Sequence, residues 1–326
     1  MIEGRPGLIA DLNARAARWV DALVARAAER RVDVRPLAGG GRFVDCGVEA
    51  RGGLLAGLDL ARICLAGLAE VAIVPADLGG HAVPHVQVVT DHPALACLGS
   101  QYAGWHVRGE RFFAMGSGPM RAAAPDREPI LAELGVRDDR PAAVVGVLEG
   151  RAEPPEAIVA SIAAACGVAP AALTLLGAPT ASLAGGVQVV ARSVETALHK
   201  LHALGFDLGR VVAGSGIAPL PPVAGDDFAA IGRTNDAILY GARVVLQVTG
   251  DDDTLAEVIG RIPSSGSPDH GEPFAAIFAR AGGDFYAVDP HLFSPAVVAF
   301  ENVDTGRTHV AGRVEADVLR RSFGGG

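Results

Sequence analysis

Between residues 182 and 219 the chain sets a long apolar stripe between glycine-rich segments, and no other stretch limits the fold as tightly. Val187, Val190, Val194, Leu198, Leu201 and Leu204 recur at three- and four-residue steps, which predicts one helix with that face against a core. Arg192, Glu195, His199 and His202 fall on the opposite stripe, and Gly205 supplies a stop. A short strand near Val211 and a second glycine loop, Gly214-Ser215-Gly216, follow. A carboxylate three residues from a guanidinium has two readings here: a solvated surface pair, or a positioned general base.

Periodicity organises the rest. An amphipathic helix is expected from Leu8 to Arg31, with Leu8, Leu12, Ala16, Trp19, Leu23 and Ala27 on one face. Strands are expected at Arg42 to Val48, Ala69 to Pro75, Val83 to Thr90 and Arg111 to Met115, with helices at 55–68 and from Pro93 to Gly104. Residues 119–141, rich in Pro, Arg and Asp, read as the connection between halves. Beyond it come a strand at 142–148, a helix at 155–166, the helix and strand described above, a helix from Asp226 to Tyr240 and a strand at Val244 to Val248. A helix near Leu255 and strands near Val297 and His309 complete the order, which predicts an α+β class with mixed α/β domains at 1–140 and 141–326. Met115-Gly-Ser-Gly-Pro and Ala213-Gly-Ser-Gly-Ile-Ala-Pro form a faint internal echo.

Composition removes several functions. The net charge of −9, with no basic stripe, argues against nucleic acid as a partner. No charge-free run reaches the ~20 residues that cross a bilayer, and no apolar signal region follows the N-terminal basic residues, so no membrane partner is expected. Cys46, Cys64, Cys97 and Cys166 are scattered without C-x-x-C spacing, which fits buried thiols in a cytoplasmic protein. His81 and His85 flank Pro84, and His199 and His202 lack a third ligand at a recognisable spacing, so no metal site is expected. Gly116-Ser117-Gly118 and Gly214-Ser215-Gly216 are neither a Walker A loop nor a dinucleotide fingerprint; they read as tight turns or as loops whose N–H groups approach a polar ligand. Asn235 and Asp236, unusual in a helix interior, read as a buried polar contact or as recognition groups.

Four segments in order carry a resemblance: Thr90-Asp91-His92-Pro93-Ala94 with Gly104-Trp105; Phe112 to Pro119; Ser182 to Gln188 with the Arg192-x-x-Glu195 helix; and Pro221-Pro222-Val223 with Gly232 to Gly241. Together they resemble the methenyltetrahydromethanopterin cyclohydrolases from about residue 40 to about residue 315. The resemblance implies two partly intertwined α/β domains with the substrate in a cleft between them. It implies reversible hydrolysis of N5,N10-methenyltetrahydromethanopterin to the N5-formyl compound, without metal or other cofactor, the pterin being the one-carbon carrier. By match to the family motif, Glu195 would activate water, assisted by Arg192, while Gly116, Ser117, Gly118, Gly214, Ser215, Gly216, Asn235 and Asp236 would line the pterin site. A homo-oligomer, trimer or dimer, is also implied. Met120 departs from the small residue often found there and leaves the local pocket shape open. The alternatives are a non-catalytic pterin-binding paralogue, an enzyme for another tetrahydropterin carrier, and a phosphate-binding transferase, against which the lack of lysine beside either glycine loop counts.

Overall fold

The computed structural model describes residues 11–324, apart from 125, 127, 139 and 140. Leu8, expected at the head of the first helix, lies outside the described residues. The chain forms two compact units, each assembled from two separate segments: residues up to Ala69 with Ala94–Gln188, and Glu70–Pro93 with the chain from Val189 onward. The expected α+β class with two domains holds. The division expected at 140/141 falls inside the first unit, because strands on either side of it are hydrogen-bonded neighbours.

The first unit is built on a six-stranded sheet in the order β1-β2-β8-β7-β6-β5. Its strands are β1 (Asp33–Pro36), β2 (Arg42–Asp45), β5 (Trp105–Arg108), β6 (Phe113–Ser117), β7 (Val144–Glu149) and β8 (Leu173–Ala178). The parallel pairs β2–β8 and β7–β8 sit at its centre, where near-continuous apolar sequence is required because both faces are covered. On one face Val145, Val147 and Leu176 meet helices α1 (Leu12–Ala25) and α2 (Leu54–Cys64) through Ala16, Val20, Leu23, Leu60 and Ile63. On the other, Val144, Leu148, Leu173 and Leu175 meet Ile158, Val159 and Ile162 of a helix at Glu156–Ala165.

The strand expected at 42–48 stops at Asp45 for a visible reason. Its buried carboxylate accepts N–H bonds from Gly47, Val48, Glu49 and Ala50, at 2.7–3.0 Å, and so curls the chain out of the ladder. The helix expected after Pro93 is a π-helix, α3 (Ala94–Gln101), in which Tyr102 N–H reaches back to Cys97 O at 2.8 Å.

The second unit carries a sheet in the order β12-β11-β10-β9-β4-β3. Its strands are β3 (Glu70–Leu78), β4 (His81–Thr90), β9 (Val211–Pro219), β10 (Arg243–Val248), β11 (Val297–Asn302) and β12 (Thr308–Gly312). Only β10–β11 is parallel. Val244, Leu246 and Val248 are buried while Arg243, Val245 and Gln247 are half-buried, the alternation of a sheet packed more deeply on one face. The segment expected as one helix from 187 to 204 is two, α4 (Leu183–Val190) and α5 (Ser193–Ala203), broken at Ala191-Arg192. Helix α6 (Asp227–Leu239) is capped by the Asp226 side chain, which accepts from Ala229 N–H at 2.8 Å. Leu239, Phe274, Ile277, Phe278, Val318 and Leu319 join it to helices at Phe274–Arg280 and Ala316–Phe323.

Candidate active site

The break between α4 and α5 decides what the Arg–Glu pair is. Arg192 occupies the N-cap of α5 and Glu195 lies in its first turn, so the pair stands at a helix N-terminus and not midway along an exposed face. The two side chains are 8% and 6% exposed, with Nη1 and Oε2 3.9 Å apart. That distance is attractive for opposite charges but exceeds a hydrogen bond. The unpaired N–H groups and dipole of a helix start also favour a carboxylate there. Thr196 closes the turn, its hydroxyl donating to Arg192 O at 3.2 Å and Ser193 O at 2.9 Å. The surface-pair reading is thereby removed: both charged groups are buried.

Glycine explains how α5 reaches this position. Gly214-Ser215-Gly216 is not a loop; it lies inside β9, paired with β4 on one side and β10 on the other. Its backbone is shared between two ladders and does not form a cradle for an anion. Gly214 and Gly216 face α5, where a methyl on Gly214 would stand 3.2 Å from Val194 Cγ1 and one on Gly216 3.0 Å from Val194 Cγ2. Their role is close approach of helix to sheet. Ser215, between them, points to the opposite face and is not brought to Arg192 and Glu195.

Gly116, Ser117 and Gly118 belong to the first unit. Gly116 and Ser117 end β6, and only Gly118 has the positive φ (+87°) of a turn glycine. Its N–H donates to Ser100 O of the π-helix at 2.9 Å. Ser117 is buried, its hydroxyl 3.4 Å from Val147 O and 3.3 Å from Cys64 Sγ. Met120 is buried too, with its side chain packed over Gly116 and Gly146, so this departure from the family pattern is a matter of core packing. The echo between the two Gly-Ser-Gly segments has no counterpart in structure: one closes a strand into a turn, the other runs through the middle of a strand.

Asn235 and Asp236 take the buried-contact reading in their local surroundings. Asn235 Nδ2 donates to Ile231 O at 2.9 Å, within its own helix. Asp236 is fully buried and accepts from Phe274 N–H at 2.8 Å, clipping α6 to the helix that starts there. Burial pushes its carboxyl up to about 7. Sequence reasoning passed over two features of α5. Ser193 is fully buried, with no hydrogen-bond partner for its hydroxyl among the described residues. Lys200 is buried as well: its Nζ donates to His291 O at 2.8 Å, and burial brings the ammonium down to about 8. Spacing gave no sign of this, since a solvated helix face tolerates a lysine as readily. Among the described residues no three His, Cys, Asp or Glu side chains converge as a metal site.

Residues 11–323 match the protein family described as Cyclohydrolase (MCH). The chain is 50% identical over 316 residues to a methenyltetrahydromethanopterin cyclohydrolase of Methylobacterium sp. (strain 4-46), covering 96% of this chain and 97% of the relative. It is 52% identical over 291 residues to the protein of that name from Rhodopirellula baltica, covering 87% and 86% of the two chains. With the one from Methanocaldococcus jannaschii the identity is 40% over 317 residues, covering 96% and 98%.

Proposed function

Since the chain belongs to the methenyltetrahydromethanopterin cyclohydrolase family, enzymes that open a cyclic amidine with water, we propose that it converts N5,N10-methenyltetrahydromethanopterin reversibly to the N5-formyl compound, with Glu195 activating the water and Arg192 assisting. The observation that carries the residue assignment is the burial of both charges at the start of α5. Isolated buried charge is costly, and a buried carboxylate–guanidinium pair at a helix N-terminus is the kind of arrangement that functional sites hold.

The chemistry needs little else. The methenyl carbon belongs to an amidinium cation and is already electrophilic, so no metal is required to polarise it. Water oxygen bonds to that carbon while Glu195 takes its proton. The tetrahedral adduct then expels N10, which takes that proton back from Glu195 as the C–N10 bond breaks, while the adduct's O–H gives its proton to solvent, leaving the formyl group on N5. Methenyl cation and water thus become neutral formyl product and one proton. Arg192 orients Glu195 and steadies charge on the entering oxygen.

We also assign a homo-oligomer, trimer or dimer. Across one face of the second sheet, Glu70, Val89, Ser215, Val245, Ala299 and Val310 form one cross-strand row, in which Val89 and Val310 are 44% and 62% exposed. Exposed valines in such a row support self-association. The four buried free thiols support a reducing, cytoplasmic setting. Among the described residues no helix is long and apolar enough to cross a membrane.

The test is loss of the methenyl chromophore in metal-free buffer, with native protein, Glu195→Gln and a methenyltetrahydrofolate control. Rapid loss with the native protein and slow loss with the variant supports the assignment. Binding without turnover by the native protein makes it a pterin-binding paralogue, and preference for the folate compound reassigns the carrier.

A further inference from the structure

Gly216 lies at the centre of the second sheet, opposite Val88 of β4 and Val244 of β10. Ladders on both sides fix its height, so crowding above it is relieved by the helix and not by the strand. The group above it is the first turn of α5. A methyl on Gly216 would stand 3.2 Å from Ser193 Cβ and 3.0 Å from Val194 Cγ2, and closer still to Ser193 Oγ. Gly214 differs, because a methyl there would be crowded as much by Leu246 of the neighbouring strand, at 3.1 Å, as by Val194.

Ser193 is the residue between Arg192 and the rest of the turn that carries Glu195. The Thr196 hydroxyl, bonded to both Arg192 O and Ser193 O, makes the turn move as one piece. The Ser193 hydroxyl, fully buried, makes no hydrogen bond in the described structure. A hydroxyl without a partner is unfavourable at such a position, and its volume is what touches the strand.

We propose that Gly216 and Ser193 act as a spacer, a pair of positioning residues that sets the height of α5 above β9 and thereby the placement of Arg192 and Glu195. The inference rests on Glu195 acting on the substrate as assigned above. A wedge at the Gly216–Ser193 contact lifts the first turn, and displacements of about 1 Å at a reacting group cost on the order of a hundredfold in rate.

The test compares Gly216→Ala, Ser193→Thr, the double variant Gly216→Ala with Ser193→Gly, and Glu195→Gln, each as full-length protein, reading kcat, KM and melting temperature. The expected result is a kcat lower by about 10- to 100-fold in Gly216→Ala with KM within about threefold of native, and recovery of most of that kcat in the double variant. Ser193→Thr places the extra methyl on the helix side of the same contact and is expected to lower kcat likewise, which decides the matter if Gly216→Ala does not fold. Native kcat in either wedge variant, or a double variant no faster than Gly216→Ala, overturns the spacer. Native turnover in Glu195→Gln instead overturns the residue assignment on which it rests, whatever Gly216 does.

Discussion

Arg192 and Glu195 face each other across the start of a helix, 3.9 Å apart and both buried, because the chain breaks its helix at Ala191-Arg192 and begins another. Glu195→Gln keeps the size of the side chain and removes its basicity. We expect kcat to fall by about 10²–10⁴-fold, and the melting temperature to fall as well because buried Arg192 loses its counter-charge. Arg192→Lys keeps the charge but loses the planar fork, and its kcat is expected between those of native protein and Glu195→Gln. Steady-state turnover of the methenyl compound checks both, and a Glu195→Gln protein at native kcat would remove Glu195 from the chemistry.

In the first unit the fully buried Arg121 binds Glu128 through Nε at 2.8 and 3.0 Å, with a further Nη2 contact. The same guanidinium donates to Leu98 O at 2.8 Å and Ser100 O at 3.2 Å, tying down the end of the π-helix that holds Gly118. Arg121→Met strands a buried carboxylate and is expected to cost about 3–5 kcal/mol. Arg121→Met with Glu128→Leu should recover a large part of that loss in urea unfolding. A single variant as stable as native would show that the pair contributes nothing.

Asp236 makes stability depend on pH in the direction opposite to a salt-bridged aspartate. Its folded carboxyl titrates at about 7, above the ordinary value of 3.8, because of burial. Between those values the native state holds a proton that the unfolded chain has released, so stability falls as pH rises, by up to about 1.4 kcal/mol per pH unit. Asp236→Asn retains an acceptor for Phe274 N–H and should flatten this slope, leaving the variant the more stable protein at pH 8. Parallel stability curves for native and variant from pH 4 to pH 8 would contradict it.

Lys200 acts in the other window. Burial lowers its ammonium from 10.5 to about 8, so across that range the unfolded chain binds the proton and the native state does not. Stability contributed by this group therefore rises with pH from about 8 to about 10.5. Lys200→Met keeps the apolar stem and should abolish the rise, as read by urea midpoints at pH 8 and pH 10. A variant that keeps the rise would assign it to another group.

Much of the architecture was legible because it depends on local period. The alternation at Val244, Leu246 and Val248, the apolar run of β7 and the face of α1 all state their surroundings directly. The break in the central helix was hidden because Val187, Val190, Val194 and Leu198 stay in phase across it, so the apolar stripe gives no sign of the turn. Gly214 and Gly216 read as a loop because glycine is poor in strands; the reason it is used here, a helix lying directly on the backbone, exists only once both elements have met. Arg192 and Glu195 were found by their spacing. Their burial, which separates an ion pair in solvent from a candidate base, depends on tertiary packing that spacing cannot express.

Each unit is threaded through the other's sequence, and this sets a schedule during synthesis. Strand β4 ends at Thr90, but the strand that pairs with it runs from Val211, after the whole remaining segment of the first unit has been made. Until then the β4 edge of the β3–β4 hairpin has no partner strand. Its waiting time is the time taken to translate from Asp91 through β9, several seconds or more at about 5–20 residues per second. A nascent chain stalled before β9 would therefore present an unpaired apolar hairpin, a target for chaperones and a seed for aggregation.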